Sequence, residues 1–132
     1  VDAAGVHVGA EDMPVREARR LMGPDKIVGA TAKRVDTAMQ AEADGADYLG
    51  VGAIYPTTTK VKTVLTSVET LQDICAHVSI LVGAIGGLNA ENCEILKGTG
   101  IKGICVVSAI MKQENSYDAA KALKAKIMTI CK

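Results

Sequence analysis

Hydroxyl groups and a cation are grouped in the segment YPTTTK, residues 55–60. Three consecutive threonines are followed directly by a lysine, and these residues are Thr57, Thr58, Thr59 and Lys60. Threonine hydroxyls donate hydrogen bonds, and a lysine ammonium neutralises phosphate oxygens. The cluster therefore predicts a site for an anion. Threonine at a strand end and lysine at a surface are also common without any ligand.

Two later segments could complete such a site. AIGGLN (84–89) contains Gly86 and Gly87, which allow a phosphate to approach the backbone closely. In VVSAIM (106–111), Ser108 precedes a short predicted helical turn and offers a hydroxyl group and backbone N–H groups. The two glycines would equally suit a tight turn before the next helix.

Three polar residues in the first part of the chain are each open to two interpretations. Asp12 is a candidate Mg²⁺ ligand, since magnesium takes one or two carboxylates together with phosphate oxygens and water. It could instead favour the start of a helix at Pro14. Thr31 could contact a ligand or cap the following helix. His7 lies within an apolar run, where a hydrogen-bonded core histidine is more common than a catalyst.

The remaining composition excludes several classes of function. No nucleophile is paired with a base, and no paired carboxylates suggest hydrolysis. Fifteen basic residues balance fifteen acidic ones, and there are three Tyr with no Phe or Trp, which argues against nucleic acid or an anionic membrane as partner. No apolar run approaches the roughly 18 residues of a transmembrane helix. Small molecules carrying phosphate are the expected partners.

The four cysteines show no metal-binding or disulfide pattern. No two of them have C-x-x-C spacing, which argues against zinc. A chain that is 48% hydrophobic has enough aliphatic residues for a core without disulfides. The thiols are expected to be reduced, which predicts a cytoplasmic location.

The elements that would position these groups follow a regular alternation. Five apolar runs, rich in β-branched residues and too short for buried helices, are expected to be strands: 5–9, 26–31, 48–54, 80–85 and 103–108. Their nearly continuous apolar character is typical of a parallel sheet covered on both faces. Amphipathic helices are expected between and after them, in 14–23, 34–45, 67–78, 89–98 and 116–130.

This alternation predicts an α/β fold of the (β/α)₈ TIM-barrel type. The 132 residues hold five strand–helix units, so residues 1–132 are expected to be the last five units of a single barrel, with the first three absent. Active sites of such barrels lie at the carboxyl ends of the strands, and a phosphate often binds after strands seven and eight. AIGGLN and VVSAIM would occupy those two positions.

Several segments together resemble one enzyme family over essentially the whole chain. Their order and spacing are those of the thiamine-phosphate synthases, and the segments are GVHVGAEDM, LMGPDKIVGATAK, EADGADYLGVGAIYPTTTK, AIGGLN and GICVVSAI. The resemblance implies Mg²⁺-dependent transfer of hydroxymethylpyrimidine from its pyrophosphate to thiazole phosphate. Pyrophosphate would leave first, and the thiazole nitrogen would then capture the pyrimidine carbocation to form thiamine phosphate.

The resemblance also implies roles for individual residues. Asp12 would be a Mg²⁺ ligand, while Thr31 and Lys60 would be catalytic and would bind the pyrimidine pyrophosphate. The thiazole phosphate would be held by Thr57, Thr58, Thr59, Gly87, Val107 and Ser108.

The sequence departs from the family pattern at several places. Ala10 replaces the usual glutamine, Thr31 stands where serine is more common, and the glycine often found after the threonines is absent. The family's second Mg²⁺ aspartate and its pyrimidine-binding glutamine and lysine belong to upstream units, so this chain alone is expected to be inactive. A non-catalytic phosphate-binding half-barrel and a thiazole tautomerase-like relative remain alternatives, and a homo-oligomer remains open.

Overall fold

A computed structural model describes residues 1–57 and 64–131, and it shows a five-stranded parallel sheet. The strands lie side by side in chain order. They are β1 (Gly5–Val8), β2 (Ile27–Ala32), β3 (Tyr48–Val51), β4 (Leu81–Ile85) and β5 (Gly103–Cys105). Parallel neighbours that follow each other in the chain require crossover connections. The predicted α/β fold is therefore confirmed.

Helices follow the strands. They are α1 (Val15–Met22), α2 (Val35–Ala43), α3 (Val68–His77), α4 (Ser108–Met111) and α5 (Ser116–Ile130). The predicted cap of α3 is confirmed, because the Ser67 hydroxyl accepts a hydrogen bond from the Thr70 N–H at 3.1 Å. None of the helices in the described ranges has the length and apolar character needed to cross a bilayer.

The helix expected over 89–98 is wrong, because only a 3₁₀ helix, Cys93–Leu96, forms there. The Asn89 side chain accepts hydrogen bonds from two nearby backbone N–H groups, those of Glu91 and Asn92, each at 2.9 Å. The Asn92 side-chain oxygen in turn accepts a hydrogen bond from the Asn89 N–H at 2.8 Å. Asparagine side chains that bond to the local backbone compete with α-helical hydrogen bonds.

One face of the sheet is buried beneath the helices. Because side chains alternate along a strand, the register places on this face Val8, Val28, Ala30, Leu49, Val51, Val82 and Ala84, all less than 9% exposed. From the helices, Ala18, Ala38, Leu71 and Ile74 pack against them.

The opposite face is open within the described part of the chain, so the expectation that both faces are covered is wrong there. Glycines occupy much of it, and the larger apolar residues Ile27 and Leu81 are 51% and 59% exposed. Apolar sequence runs do not distinguish a covered face from an open one, because glycine and aliphatic residues serve in both.

Asp47 joins three elements just before β3. Its carboxylate accepts a hydrogen bond from the Val28 N–H at 2.8 Å and pairs with the Arg19 guanidinium of α1. The Val28 bond and then the Arg19 contact lower the pKa of the Asp47 carboxyl group.

We expect Asp47→Asn to reduce the free energy of unfolding by about 1 kcal/mol at neutral pH. The folded-state pKa lies below the unfolded value of about 3.9. The stabilisation is therefore fully present above that pH and is lost as the pH falls through the folded-state pKa. Urea denaturation at neutral and acidic pH would measure this. The control is Asp25→Asn, which alters an exposed carboxylate. An equal cost of Asp47→Asn at both pH values would contradict the assignment.

Candidate active site

A cavity of about 710 Å³ opens at the carboxyl ends of the strands. Its walls come from the segments that follow all five strands. Six of the nine residues assigned through the family resemblance line it, and they are Asp12, Thr31, Thr57, Gly87, Val107 and Ser108. Thr58, Thr59 and Lys60 lie outside the described residues. The structure thus brings together residues that are up to 96 positions apart in sequence, from Asp12 to Ser108.

Asp12 closes a turn after β1. Its Oδ2 accepts a hydrogen bond from the Gly9 N–H at 2.7 Å, and its own N–H donates to the Gly9 carbonyl at 3.2 Å. Helix α1 begins after Pro14 and has no side-chain cap, so Asp12 does not cap it by a hydrogen bond. The carboxylate is instead held against the backbone at the cavity wall, beside Glu11.

The residues that flank the threonine segment, which is residues 54–63, are hydrogen-bonded to each other. The Ala53 N–H donates to the Val64 carbonyl at 3.1 Å, and the Thr66 N–H donates to the Ala53 carbonyl at 2.8 Å. The buried Thr66 hydroxyl donates to the Gly52 carbonyl at 2.8 Å. These bonds fix where the segment leaves β3 and where it returns.

Lys33 makes two further hydrogen bonds to this region, and the sequence patterns did not predict them. Its ammonium donates to the Gly52 carbonyl at 2.7 Å and to the Val64 carbonyl at 3.2 Å. It thereby links the end of β2 to both ends of the threonine segment. The sequence signal for this contact was a basic residue two positions after Thr31, at the end of a predicted strand.

The two glycines after β4 pack against the same segment. Gly86 and Gly87 have positive φ angles of 107° and 64°. A Cβ atom on Gly87 would lie 2.8 Å from both the Pro56 carbonyl oxygen and the Tyr55 Cβ. Glycine is therefore required here by conformation and by close approach. The backbone bends at these two glycines, and the bend contacts Pro56, the residue next to Thr57.

A polar network that the sequence did not reveal lies on the open face. His7 Nδ1 is 2.9 Å from the Tyr48 hydroxyl, and His7 Nε2 is 3.0 Å from Thr31 Oγ1. His7 is thus hydrogen-bonded but exposed, so the core position expected for it is wrong. The Thr31 hydroxyl bonds to His7, and helix α2 has no side-chain cap from it. Only the strand register, which sequence patterns leave undetermined, shows that these residues meet.

Comparison with known proteins gives one consistent family. The family model described as thiamine monophosphate synthase matches residues 1–110. Thiamine-phosphate synthase 2 of Streptococcus pneumoniae is 50% identical over 130 residues, covering 98% of this chain and 62% of that protein. Thiamine-phosphate synthase of Enterococcus faecalis is 53% identical over 123 residues, covering 93% and 58%. This chain therefore spans less than two thirds of the length of the relatives it matches.

A solved structure agrees with the sequence relatives. Thiamine phosphate pyrophosphorylase from Pyrococcus furiosus superposes with a TM-score of 0.88 at 38% identity, covering 100% of this chain and 63% of that one. The chain belongs to the thiamine monophosphate synthase family.

Proposed function

We propose that the full-length protein containing this chain is a thiamine-phosphate synthase. It transfers the hydroxymethylpyrimidine group from its pyrophosphate to thiazole phosphate, releasing pyrophosphate and forming thiamine phosphate. The proposal rests on one observation: a single cavity is lined by residues that the family resemblance assigns to the metal ion and to both substrates, namely Asp12, Thr31, Thr57, Gly87 and Ser108. Relatives with about half of their aligned residues identical support the same activity.

The reaction needs positioning and charge stabilisation more than a base. The bond between the pyrimidine methylene carbon and the pyrophosphate oxygen breaks, and the electron pair leaves with pyrophosphate. The lone pair of the thiazole nitrogen then forms a new bond to the methylene carbon, and no proton is transferred. Hydroxyl, backbone N–H and ammonium donors suit this chemistry, because they stabilise the charge that develops on the leaving group.

The two phosphate-bearing substrates divide these donors between them. Thr31 and Lys60 act on the pyrophosphate of the pyrimidine. The thiazole phosphate is held by Thr57, Thr58, Thr59, Gly87, Val107 and Ser108. Support comes from the packing of the Gly87 turn against Pro56, which places the backbone of Thr57 next to that turn.

Asp12 suits a Mg²⁺ ion that is shared with substrate. No group of three or more His, Cys, Asp or Glu side chains capable of holding a metal occurs in 1–57 and 64–131. One carboxylate with phosphate oxygens and water is nevertheless an ordinary magnesium environment. Asp12, anchored by Gly9, would hold the ion, with a second acid from upstream units. When bound, Mg²⁺ supplies positive charge to the pyrophosphate.

The chain corresponds, in this proposal, to the last five units of an eight-unit barrel. Five parallel strands in chain order and a 62% share of a relative's length both suit five units of eight. The four cysteines, Cys75, Cys93, Cys105 and Cys131, are free thiols, which suits the cytoplasm. The proposed partners are the two small substrates and not nucleic acid or a membrane. The proposal is compatible with either a monomer or a homo-oligomer.

The deciding experiment supplies the full-length protein with both substrates and Mg²⁺. We expect pyrophosphate and thiamine phosphate to appear in equal amounts, and both to stop on addition of EDTA or omission of either substrate. The 132-residue chain alone should release no pyrophosphate. If the full-length protein bound thiazole phosphate without any turnover, the non-catalytic phosphate-binding module would be the better description.

A further inference from the structure

We infer that His7 is a positioning residue that directs the Thr31 hydroxyl group toward the cavity as a hydrogen-bond donor. The inference rests on the proposed function, because it concerns how Thr31 meets the pyrophosphate. Its basis is the chain of contacts from Tyr48 OH to His7 Nδ1, at 2.9 Å, and from His7 Nε2 to Thr31 Oγ1, at 3.0 Å. Thr31 lines the cavity, so one end of this chain faces the space for ligand.

Gly29 makes the contact between Tyr48 and His7 possible. In the strand register, Gly29 of β2 lies between His7 of β1 and Tyr48 of β3. A Cβ atom on Gly29 would be 2.0 Å from Tyr48 Cζ and 2.4 Å from its hydroxyl oxygen. The tyrosine therefore crosses β2 over the missing side chain, and its ring centroid comes within 5.5 Å of that of His7. Three strands thus contribute to holding one imidazole.

The protonation of the network determines what Thr31 can do. A neutral imidazole has one N–H donor and one acceptor nitrogen. In one arrangement Tyr48 donates to Nδ1 and the Nε2–H donates to Thr31, which leaves the threonine proton for another acceptor. In the reverse arrangement Thr31 donates its only proton to Nε2 and has none for a ligand.

An anion in the cavity selects the first arrangement. Burial raises the pKa of the Tyr48 phenol, so this group is a protonated donor at neutral pH and can supply Nδ1. A phosphate oxygen accepts hydrogen bonds and cannot donate one when ionised. Of the two neutral tautomers, only the one with its proton on Nε2 leaves Thr31 able to bond to such an oxygen. His7 therefore acts through Thr31 and need not touch substrate.

Two amide variants in the full-length protein separate this role from a purely structural one. His7→Gln keeps an amide donor near the position of Nε2, whereas His7→Asn keeps a polar group only near Nδ1. We expect His7→Asn to raise the KM for the pyrimidine pyrophosphate about 10-fold, the effect of losing about one well-placed hydrogen bond. His7→Gln should have a smaller effect, and neither should change the KM for thiazole phosphate.

Combination with Thr31→Val tests whether His7 acts through that hydroxyl group. Valine keeps the shape of threonine and removes the oxygen, so His7→Asn should add little to the loss in Thr31→Val. Gly29→Ala should give the same KM change, because the new methyl group displaces the Tyr48 ring. Multiplicative losses in the double variant, or an equal loss in His7→Gln and His7→Asn, would overturn the inference.

Imidazole nitrogen NMR tests the inference without turnover. With inorganic pyrophosphate and Mg²⁺ present, the His7 signal, identified by its loss in His7→Gln, should show the proton on Nε2. His77 is an internal reference of the opposite kind, because its Nδ1 lies 2.7 Å from the Asp73 carbonyl oxygen, which can only accept. A His7 proton on Nδ1 would overturn the inference. This measurement decides it even if the wild-type protein shows no synthase activity, which would contradict the proposed function instead.

Discussion

Asp12→Asn in the full-length protein should lower the rate of pyrophosphate release by about 100-fold or more, because a metal ion held there, as proposed, would contribute several kilocalories per mole to the transition state by neutralising the leaving group. The variant is nearly isosteric, and the amide oxygen of asparagine can still accept the hydrogen bond from the Gly9 N–H. The turn after β1 should therefore survive while the charge on the metal ligand is lost. The measurement is the initial rate as a function of Mg²⁺ concentration.

The matched comparison is Glu11→Gln, which removes the same charge one residue earlier on the same cavity wall. It should shift the Mg²⁺ dependence far less, since a nearby but uncoordinated charge acts only through screened electrostatics. Equal losses in the two variants would show that Asp12 contributes a general negative field. In that case its assignment as a ligand would be wrong.

Gly87→Ala should raise the KM for thiazole phosphate by about 10-fold or more, because alanine is strained at a φ angle of 64° and its methyl group would collide with the threonine segment. The collision is with the Pro56 carbonyl oxygen and the Tyr55 Cβ, both at 2.8 Å. Backbone must therefore move, and Thr57 is the next residue along. Steady-state kinetics with each substrate varied separately would measure the effect.

Gly98→Ala separates backbone strain from this collision. Gly98 has a φ angle of 82°, and a Cβ atom there would meet no heavy atom within 4 Å. It should lower the free energy of unfolding by about 1 kcal/mol through strain and leave both KM values unchanged. If Gly87→Ala affected only stability, in the same way as Gly98→Ala, the link between the glycine turn and the phosphate site would fail.

The regular part of the fold could be predicted because its signals are local. Apolar runs of the right length gave strands that begin within one residue of those observed, as at Tyr48–Val51 and Leu81–Ile85. Ser67 capped its helix as expected. The gathering of Asp12 and Ser108 at one cavity also followed from a general property, since parallel strands place their carboxyl ends at the same edge of the sheet.

The parts that could not be predicted depend on relations between distant residues. His7 and Tyr48 are 41 positions apart and meet only because the register aligns both with Gly29. The pattern of apolar residues constrains which face a residue occupies, but it does not determine which residues stand opposite each other. The bonds from Lys33 to the Gly52 and Val64 carbonyls also could not be predicted, because Gly52 and Val64 are distant in sequence and are brought together by the hydrogen bonds of the adjacent Ala53.

The closure of that loop has a consequence for how specificity can change. Because Ala53 and Val64 are hydrogen-bonded, the chain between them begins and ends at one place. The entropic cost of closing a loop grows only slowly with its length, by about 0.6 kcal/mol for each doubling. Substitutions or insertions between these residues can therefore change the loop while strands β3 and β4 keep their pairing. Changes within 54–63 are thus separated from the sheet, because the hydrogen-bonded ends of the segment take the same positions whatever lies between them.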